Sequence, residues 1–343
     1  MRPILLLLAI QFFIFGCKTE NKLEQSALAD LNLYLESEVK VDSVFVSNIS
    51  QDREFQFIPY SDNLHIEFND SINDLYNLTF YAGEKKMMKQ LWLNGEHLVV
   101  KGKITNGLKI DTIIGSSLYY NSMDFRKRYS QLLENETDSA AINNFLLDEL
   151  KENIDNPYSI EIANNFFRRN LSNKEELKKI YTLQSSQKDE IKNHMISSYD
   201  KIENILTVDK VDLTHFKFYD ANNQLVSIDL EEDKKYLLDF WFMACAPCIK
   251  EHKIMVDKKD MLEKHNVQLI GISTDRDQSK WSEYVKDKNY FWHNIREQDE
   301  YHIRLTTDML ISAFPTHILL DGTGNILYRA NSFSAVEEYL SNG

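Results

Sequence analysis

Two cysteines separated by two residues, Cys245 and Cys248, are the side chains in this sequence best suited to chemistry. They follow an apolar run, residues 236–242, that predicts a buried strand, and the residues after Cys245 predict a helix. The free N–H groups and positive end of a helix favour thiolate over thiol, so we expect a pKa for Cys245 below the ~8.5 of a free cysteine. The second thiol, one turn further on, can resolve a mixed disulfide. The spacing therefore predicts redox chemistry on a dithiol.

The same Cys-x-x-Cys spacing also occurs in zinc sites, which normally need two further Cys or His ligands. The only other cysteine is Cys17, far away in the sequence, so no second cysteine pair exists. We therefore expect no metal and no cofactor at this site.

The N-terminal segment predicts the compartment. Arg2 supplies a positive charge, residues 4–15 are apolar apart from one glutamine, and a glycine then precedes Cys17. This run is too short to span a bilayer comfortably and is typical of a signal peptide over residues 1–16. Its end resembles a bacterial lipobox, which implies that Cys17 is lipidated and that residues 17–38 form a polar tether. An ordinary signal peptide with an incidental cysteine is the alternative.

On the lipoprotein interpretation the mature chain works at an extracytoplasmic membrane surface. Lys18 follows the lipidated cysteine where an aspartate would signal retention in the inner membrane. We therefore expect a lipid anchor in the outer membrane, facing the periplasm.

Length and charge bound the function without defining it. A chain of 343 residues is long enough for two domains. A net charge of −14 argues against nucleic acid as a partner and against binding to anionic lipid through a basic surface.

The mature chain divides into three parts by periodicity. Residues 39–116 alternate with period two, which predicts a small antiparallel β domain. Residues 117–206 change to helical spacing and predict a helical connector that links and orients two domains. Residues 207–343 alternate strands and helices and end in a β-hairpin and a helix, which predicts a mixed sheet covered on both faces.

Residues 236–251 and 312–328 resemble the thioredoxin superfamily, and the long helix after the cysteines is similar to that of its extracytoplasmic branch. That branch comprises the thiol–disulfide oxidoreductases related to ResA and TlpA. Residues 91–116 resemble, weakly, the β-rich N-terminal domain of many Bacteroidetes lipoproteins. The resemblance implies an α/β thioredoxin fold at the C-terminus, preceded by the β domain and the helical connector.

The resemblance also implies roles for individual residues. Cys245 corresponds to the exposed nucleophile and Cys248 to the buried resolving thiol. Pro315 matches the cis-proline of the family, which places the backbone of Phe314 beside the disulfide to bind an extended substrate. A trans proline at the start of a strand is the alternative.

Trp241 and Thr316 are also assigned to substrate binding, because each adjoins one of these two motifs. Ala244 departs from the family pattern, because a tryptophan is usual before the nucleophile. This difference leaves the substrate open.

Two acidic residues complete the expected site. Asp239 matches the buried aspartate of thioredoxin, and burying a carboxylate without a partner costs free energy. Burial raises the pKa of a carboxyl, so we expect Asp239 to be the proton acceptor for Cys248. Glu251 matches a glutamate of ResA-like reductases and lies on the same side of the helix as Cys248. A structural role for Asp239 and a solvated position for Glu251 remain alternatives. We expect His317 to face solvent.

The sequence thus predicts an extracytoplasmic, membrane-anchored thiol–disulfide oxidoreductase that reduces protein disulfides. Its expected partners are disulfide-containing extracytoplasmic proteins and a membrane electron donor that reduces it again. A peroxiredoxin-like peroxidase is one alternative, although Phe242 stands where that chemistry needs Thr or Ser. A copper-binding module using the cysteines, His317 and Met243, or a partner-binding lipoprotein, is another. The direction of electron flow stays open.

Overall fold

A computed structural model describes residues 28–49, 55–136, 138–297 and 303–342. The leader and Cys17 lie outside these residues. None of the helices in the described ranges is long and apolar enough to span a membrane.

The N-terminal part is a pair of four-stranded sheets that share one hydrophobic core. The strands are β1 (Ala29–Ser37), β2 (Ser43–Asn48), β3 (Phe55–Pro59), β4 (Asn63–Phe68), β5 (Ile72–Ala82), β6 (Lys85–Gly95), β7 (His97–Ile104) and β8 (Leu108–Ile114). Their orders are β4-β1-β7-β8 in one sheet and β3-β2-β5-β6 in the other. In β4 every second residue is buried, as expected for a sheet with one face against a core.

The start of this domain differs from the prediction. Residues 17–38 were predicted as a tether, but Ala29–Ser37 forms β1, in the interior of the first sheet. Leu31 and Leu33 of this strand are fully buried. The polar residues between them face away from the core. This period-two alternation indicates a strand, but the helix-prone composition of residues 17–38 obscured it. The domain is also not wholly antiparallel, because β1 pairs with β7 in parallel.

Six helices follow, as the periodicity predicted. They are α1 (Ser117–Asn135), α2 (Ser139–Glu152), α3 (Ser159–Arg169), α4 (Lys174–Gln184), α5 (Asp189–Lys192) and α6 (Tyr199–Thr207). The predicted helical connector over residues 117–206 is thus divided into six helices within the described residues.

These helices pack against the first domain through a buried polar contact. Trp92 of β6 donates from Nε1 to Glu161 Oε2 of α3 at 2.9 Å. Arg126 of α1 donates to Glu161 through both Nε and Nη2, at 2.7 and 2.6 Å. One carboxylate therefore joins the sheet to two helices.

The C-terminal part is a seven-stranded mixed sheet with the order β10-β9-β13-β12-β11-β14-β15. Its strands are β9 (Phe218–Tyr219), β10 (Leu225–Val226), β11 (Lys235–Trp241), β12 (Val267–Ser273), β13 (His293–Glu297), β14 (Thr316–Asp321) and β15 (Ile326–Ala330). Its helices are α7 (Ala246–Met255), α8 (Lys259–Lys264), α9 (Gln278–Lys288), α10 (Leu305–Asp308) and α11 (Phe333–Asn342). The single helix predicted from Cys245 to His265 is divided by a 3₁₀ turn at Val256–Lys258.

The central strand β11 distributes its side chains between two cores. Leu238 and Phe240 enter the core on one face of the sheet, with residues of β12 and β14. Leu237 enters the core on the other face, with residues of α7, α8 and α11. Because side chains alternate along a strand, Asp239 lies on the face of Leu237, towards α7. This alternation decides which groups meet the carboxyl.

Candidate active site

Cys245 and Cys248 are joined by a disulfide at the start of α7. Cys245 is the N-cap residue, with extended backbone, and its Sγ accepts from the N–H of Cys248 at 3.2 Å. Pro247 lies in the first turn, where a missing N–H costs no helical hydrogen bond. Cys245 is 5% exposed and Cys248 is fully buried. The nucleophile predicted to be exposed is therefore buried in the disulfide form.

The peptide bond between Phe314 and Pro315 is cis, as predicted. The Phe314 ring packs edge-on against the Phe242 ring, with centroids 5.3 Å apart, and belongs to the apolar cluster around the two cysteines. Phe314 is partly exposed. The loop before β14 therefore lies against the disulfide, with a backbone segment beside it.

The side chains of Trp241 and Thr316 are buried. Trp241 is fully buried, and Thr316 is 5% exposed. The Thr316 hydroxyl donates to Ala313 O at 2.8 Å, which fixes the loop that carries the cis bond. Both side chains are buried beneath the site, and substrate binding by Trp241 and Thr316 stays a prediction.

The loop after β12 positions the residues before the nucleophile. Asp275 accepts the Met243 N–H at 2.9 Å and the Ser273 hydroxyl at 2.8 Å. Trp241 O accepts from the Thr274 N–H at 3.0 Å. Ala244, which replaces the expected tryptophan, is exposed.

Asp239 is fully buried but not unpaired. His252 of α7, also fully buried, contacts Asp239 Oδ2 through Nε2 at 2.7 Å. His317 of β14 is the strand partner of Asp239, and its Nδ1 lies 3.5 Å from Asp239 Oδ1. Asp239 is thus buried, as expected, and two imidazoles face its carboxyl.

His317 differs from the prediction, and Glu251 does not take the solvated position considered as an alternative. His317 is fully buried rather than facing solvent, and its Nε2 donates to Glu251 Oε2 at 2.8 Å. Glu251 Oε2 also accepts the Phe333 N–H at the start of α11, at 3.2 Å, and its side chain is 18% exposed. Glu251 is thus a bonded, largely buried group and not a solvated charge.

Sequence reasoning missed His252 altogether. One signal was present: His252 follows Cys248 by four residues and Glu251 by one, so the three share one side of α7. His317 could have been placed by the alternation in β14, which puts it on the face of buried Leu319.

Within the described ranges, no group of three or more His, Cys, Asp or Glu side chains is arranged to hold a metal ion. The copper site considered from sequence needed a free His317. That imidazole is instead buried and bonded to Glu251.

A cavity of about 460 Å³ adjoins the cis-proline loop, with Phe314 in its wall. Three basic side chains line it: Lys201 of α6, Arg276 after β12 and Arg304 before α10. Arg304 is paired with buried Glu297, at 2.9 Å. Lys201 forms no ion pair with the described residues, and burial lowers its pKa. In a chain of net charge −14, this cavity is a local concentration of positive charge.

A family model described as thioredoxin-like matches residues 233–326. This segment is a thioredoxin-like domain. The matched residues contain the disulfide, Asp239, Glu251 and the cis-proline, and the predicted α/β thioredoxin fold at the C-terminus is confirmed.

Solved structures similar to the thioredoxin-like domain include two that are named as thiol–disulfide oxidoreductases. The thioredoxin domain of one from Bacteroides vulgatus is 22% identical, with 39% of this chain and 99% of that chain covered and a TM-score of 0.34. One from Bacteroides fragilis is 24% identical, with 38% and 98% covered and a TM-score of 0.34. StoA from Bacillus subtilis is 20% identical, with 36% and 94% covered and a TM-score of 0.30. No curated protein matches the chain.

Proposed function

We propose that this protein is an extracytoplasmic, membrane-anchored thiol–disulfide oxidoreductase that reduces protein disulfides. The observation that carries the proposal is the Cys245–Cys248 disulfide at the N-terminus of α7, in an apolar cluster against which Phe314, the residue before the cis-proline, packs. The helix end stabilises negative charge on the Cys245 sulfur.

The reaction proceeds in two exchanges. In the dithiol form the Cys245 thiolate attacks a substrate disulfide, forms a mixed disulfide and releases one substrate sulfur as a thiolate. Cys248 then attacks Cys245 Sγ, forms the intramolecular disulfide and releases the second substrate sulfur, while the Cys248 proton passes to an acceptor. Two electrons have moved from the protein to the substrate. A donor dithiol on the membrane side reverses the two steps and restores the reduced protein.

The anchor is assigned to Cys17 from the sequence of the leader. Lipidation there attaches the chain to the outer membrane, facing the periplasm, and allows the thioredoxin-like domain to reach disulfide-containing proteins of the cell envelope. Metabolic labelling with a fatty acid, in the wild type and in Cys17→Ala, tests this part of the proposal. Equal labelling of both proteins would exclude it.

The cavity beside Phe314 supports a preference for acidic substrate segments. Lys201 and Arg276 line this cavity together with Phe314 and form no ion pair with the described residues. A chain held along the Phe314 backbone passes near them, so carboxylates next to its disulfide gain favourable electrostatic energy.

Trapping of a mixed disulfide tests the chemistry. Cys248→Ser retains the nucleophile but has no resolving thiol, so it should accumulate a covalent complex with substrate on non-reducing gels. Cys245→Ser should trap nothing. Iodoacetamide should also label Cys245 before Cys248 in the reduced protein, because Cys248 is fully buried. Equal trapping by both variants, or faster labelling of Cys248, would overturn the assignment of roles.

A further inference from the structure

The cavity beside Phe314 is lined by cations and hydroxyl groups, and no acidic side chain of the described residues lines it. Lys201, Arg276 and Arg304 supply the positive charges, and the remaining polar lining consists of threonine and serine side chains. The chain as a whole has 53 Asp and Glu against 39 Lys and Arg. A cavity without a single acid therefore departs from the composition of the chain, and its donors suit an anion.

Only one of the three cations is neutralised by the described residues. Glu297 accepts from Arg304 through Nε at 3.0 Å and through Nη2 at 2.9 Å. Asp275, the neighbour of Arg276 in the sequence, accepts instead from the loop before the nucleophile. Lys201 and Arg276 form no ion pair with the described residues. Two positive charges on different elements are therefore left to meet two separate anionic groups of a ligand.

Lys201 belongs to α6 of the helical connector and not to the thioredoxin-like domain, residues 233–326. Asn204, three residues after Lys201, donates from Nδ2 to Asp308 O at 3.2 Å and so joins α6 to α10. Burial lowers the pKa of the Lys201 ammonium, and the adjacent Asp200 offsets this only in part. An anion in the cavity would stabilise the charged form of this side chain. The connector thus completes a site that the thioredoxin-like domain alone does not contain.

The volume and the apolar wall of the cavity suit a small molecule. About 460 Å³ lies within the range of small-molecule sites, about 300–1,000 Å³. Leu310, Ile311 and Phe314 form the apolar wall. Phe314 also packs in the cluster that contains Cys245 and Cys248. A ligand that fills the cavity therefore has one end on the side of the disulfide, where it can carry a sulfur.

We propose that the cavity binds a small thiol compound with two carboxylates, and that the protein removes such compounds from the cysteines of envelope proteins. The Cys245 thiolate attacks the sulfur of the small compound in the mixed disulfide. The sulfur of the envelope protein leaves with the electron pair as a thiolate, and the small compound becomes bonded to Cys245. Cys248 then attacks Cys245 Sγ, its proton passes to solvent, and the small compound leaves as a thiolate. The donor dithiol of the proposed function supplies the two electrons that restore the reduced protein.

This inference rests on the proposed function, and one peptide with three different small thiols on its cysteine separates the two. The small thiols are glutathione, which has two carboxylates, glutathione diethyl ester, in which both are neutralised, and uncharged 2-mercaptoethanol. The reduced full chain carrying Cys17→Ala is mixed with each compound, and chromatography of acid-quenched samples gives the initial rate of release of the peptide thiol. The mercaptoethanol compound tests the chemistry: no release by the wild type, or release that survives in Cys245→Ser, would refute the proposed function itself.

Lys201→Gln and Arg276→Gln are the test variants, because each removes one positive charge and keeps a polar side chain. We expect each to slow release from the glutathione compound roughly threefold, and the double variant roughly tenfold, as for independent, partly exposed ion pairs. The ester and mercaptoethanol compounds should change by less than about 1.5-fold, and the effect on the glutathione compound should shrink at high salt. Lys250→Gln, the matched control, removes an exposed cation of α7 outside the cavity and should match the wild type on all three compounds.

Equal slowing of all three compounds in the test variants, or no slowing of any, would overturn the inference while leaving the dithiol chemistry intact. A loss in Lys250→Gln similar to that in Lys201→Gln would also overturn it, because general attraction of anions to the protein would then explain the rates. The wild type alone gives a further readout that needs no variant to fold. S-methylglutathione, a thioether that cannot exchange, should inhibit release from the glutathione compound competitively, and its diethyl ester should not. Equal inhibition by the two thioethers, or none by either, would refute the site.

Discussion

Replacing Asp239 with asparagine should stabilise the protein and slow resolution of the mixed disulfide. The asparagine carbonyl can still accept the His252 Nε2–H that Asp239 Oδ2 accepts at 2.7 Å. Its amide can take the place of Oδ1 and donate to His317 Nδ1, 3.5 Å away in the native protein. Two facing acceptors become a donor and an acceptor, and a fully buried charge is removed.

The magnitude follows from these contacts. The new hydrogen bond contributes about 1 kcal/mol, and removal of the buried charge adds to this gain, while loss of charge assistance in the His252 bond subtracts about 1 kcal/mol. We therefore expect Asp239→Asn to raise the free energy of unfolding by roughly 1–2 kcal/mol. Asp239→Ala should instead lower it by about 2–3 kcal/mol, because the His252 Nε2–H then remains buried without an acceptor.

Guanidinium titration of the disulfide form, followed by tryptophan fluorescence, measures both variants against the wild type. Reaction of the reduced protein with the aromatic disulfide 5,5′-dithiobis(2-nitrobenzoate) supplies the kinetic readout. Attack by Cys245 releases one coloured thiolate in the first phase, and resolution by Cys248 releases another in the second. Asp239→Asn should slow the second phase by about 100-fold or more. A loss of stability in Asp239→Asn similar to that in Asp239→Ala would show that the charge itself holds the site together. A wild-type second phase would show that Cys248 loses its proton elsewhere.

Substitutions at three further positions test the packing of the fold and the substrate preference. Glu161→Ala should lower the free energy of unfolding, measured by denaturant titration, by about 2–3 kcal/mol, because the indole N–H of Trp92, which is 1% exposed, loses its acceptor. Glu161→Gln keeps an acceptor and should lower it by about half as much. Gly271→Ala should lower stability by about 1–3 kcal/mol, since the added methyl collides with Asn294 Oδ1; an unchanged melting temperature would contradict this. Lys201→Glu should slow the reduction of a disulfide peptide with acidic flanking residues roughly fivefold and accelerate the reduction of a peptide with basic flanking residues. Both effects should become smaller at high salt. Equal effects on the two peptides would exclude charge recognition.

The sequence determined the elements that hold the redox site. A buried strand, β11, followed by Cys245 at the start of a helix could be predicted because apolar runs and helix starts are local signals. The cis bond before Pro315 was predicted from the resemblance, and the structure confirms it. The strand β1 was missed because its polar, helix-prone composition obscured the alternation of buried and less buried residues.

The tertiary structure alone decided which groups meet beneath the disulfide. Alternation assigns Asp239 to a face of β11, but only the register between β11 and β14 sets it opposite His317. Only the packing of α7 against this sheet brings His252 and Glu251 to the same two residues. Glu251 and His317 are separated by 66 residues, and such a contact depends on how whole elements pack, which no local pattern encodes. The sequence therefore determined the thiols and their helix, whereas the long-range packing decided which side chains lie together beneath them.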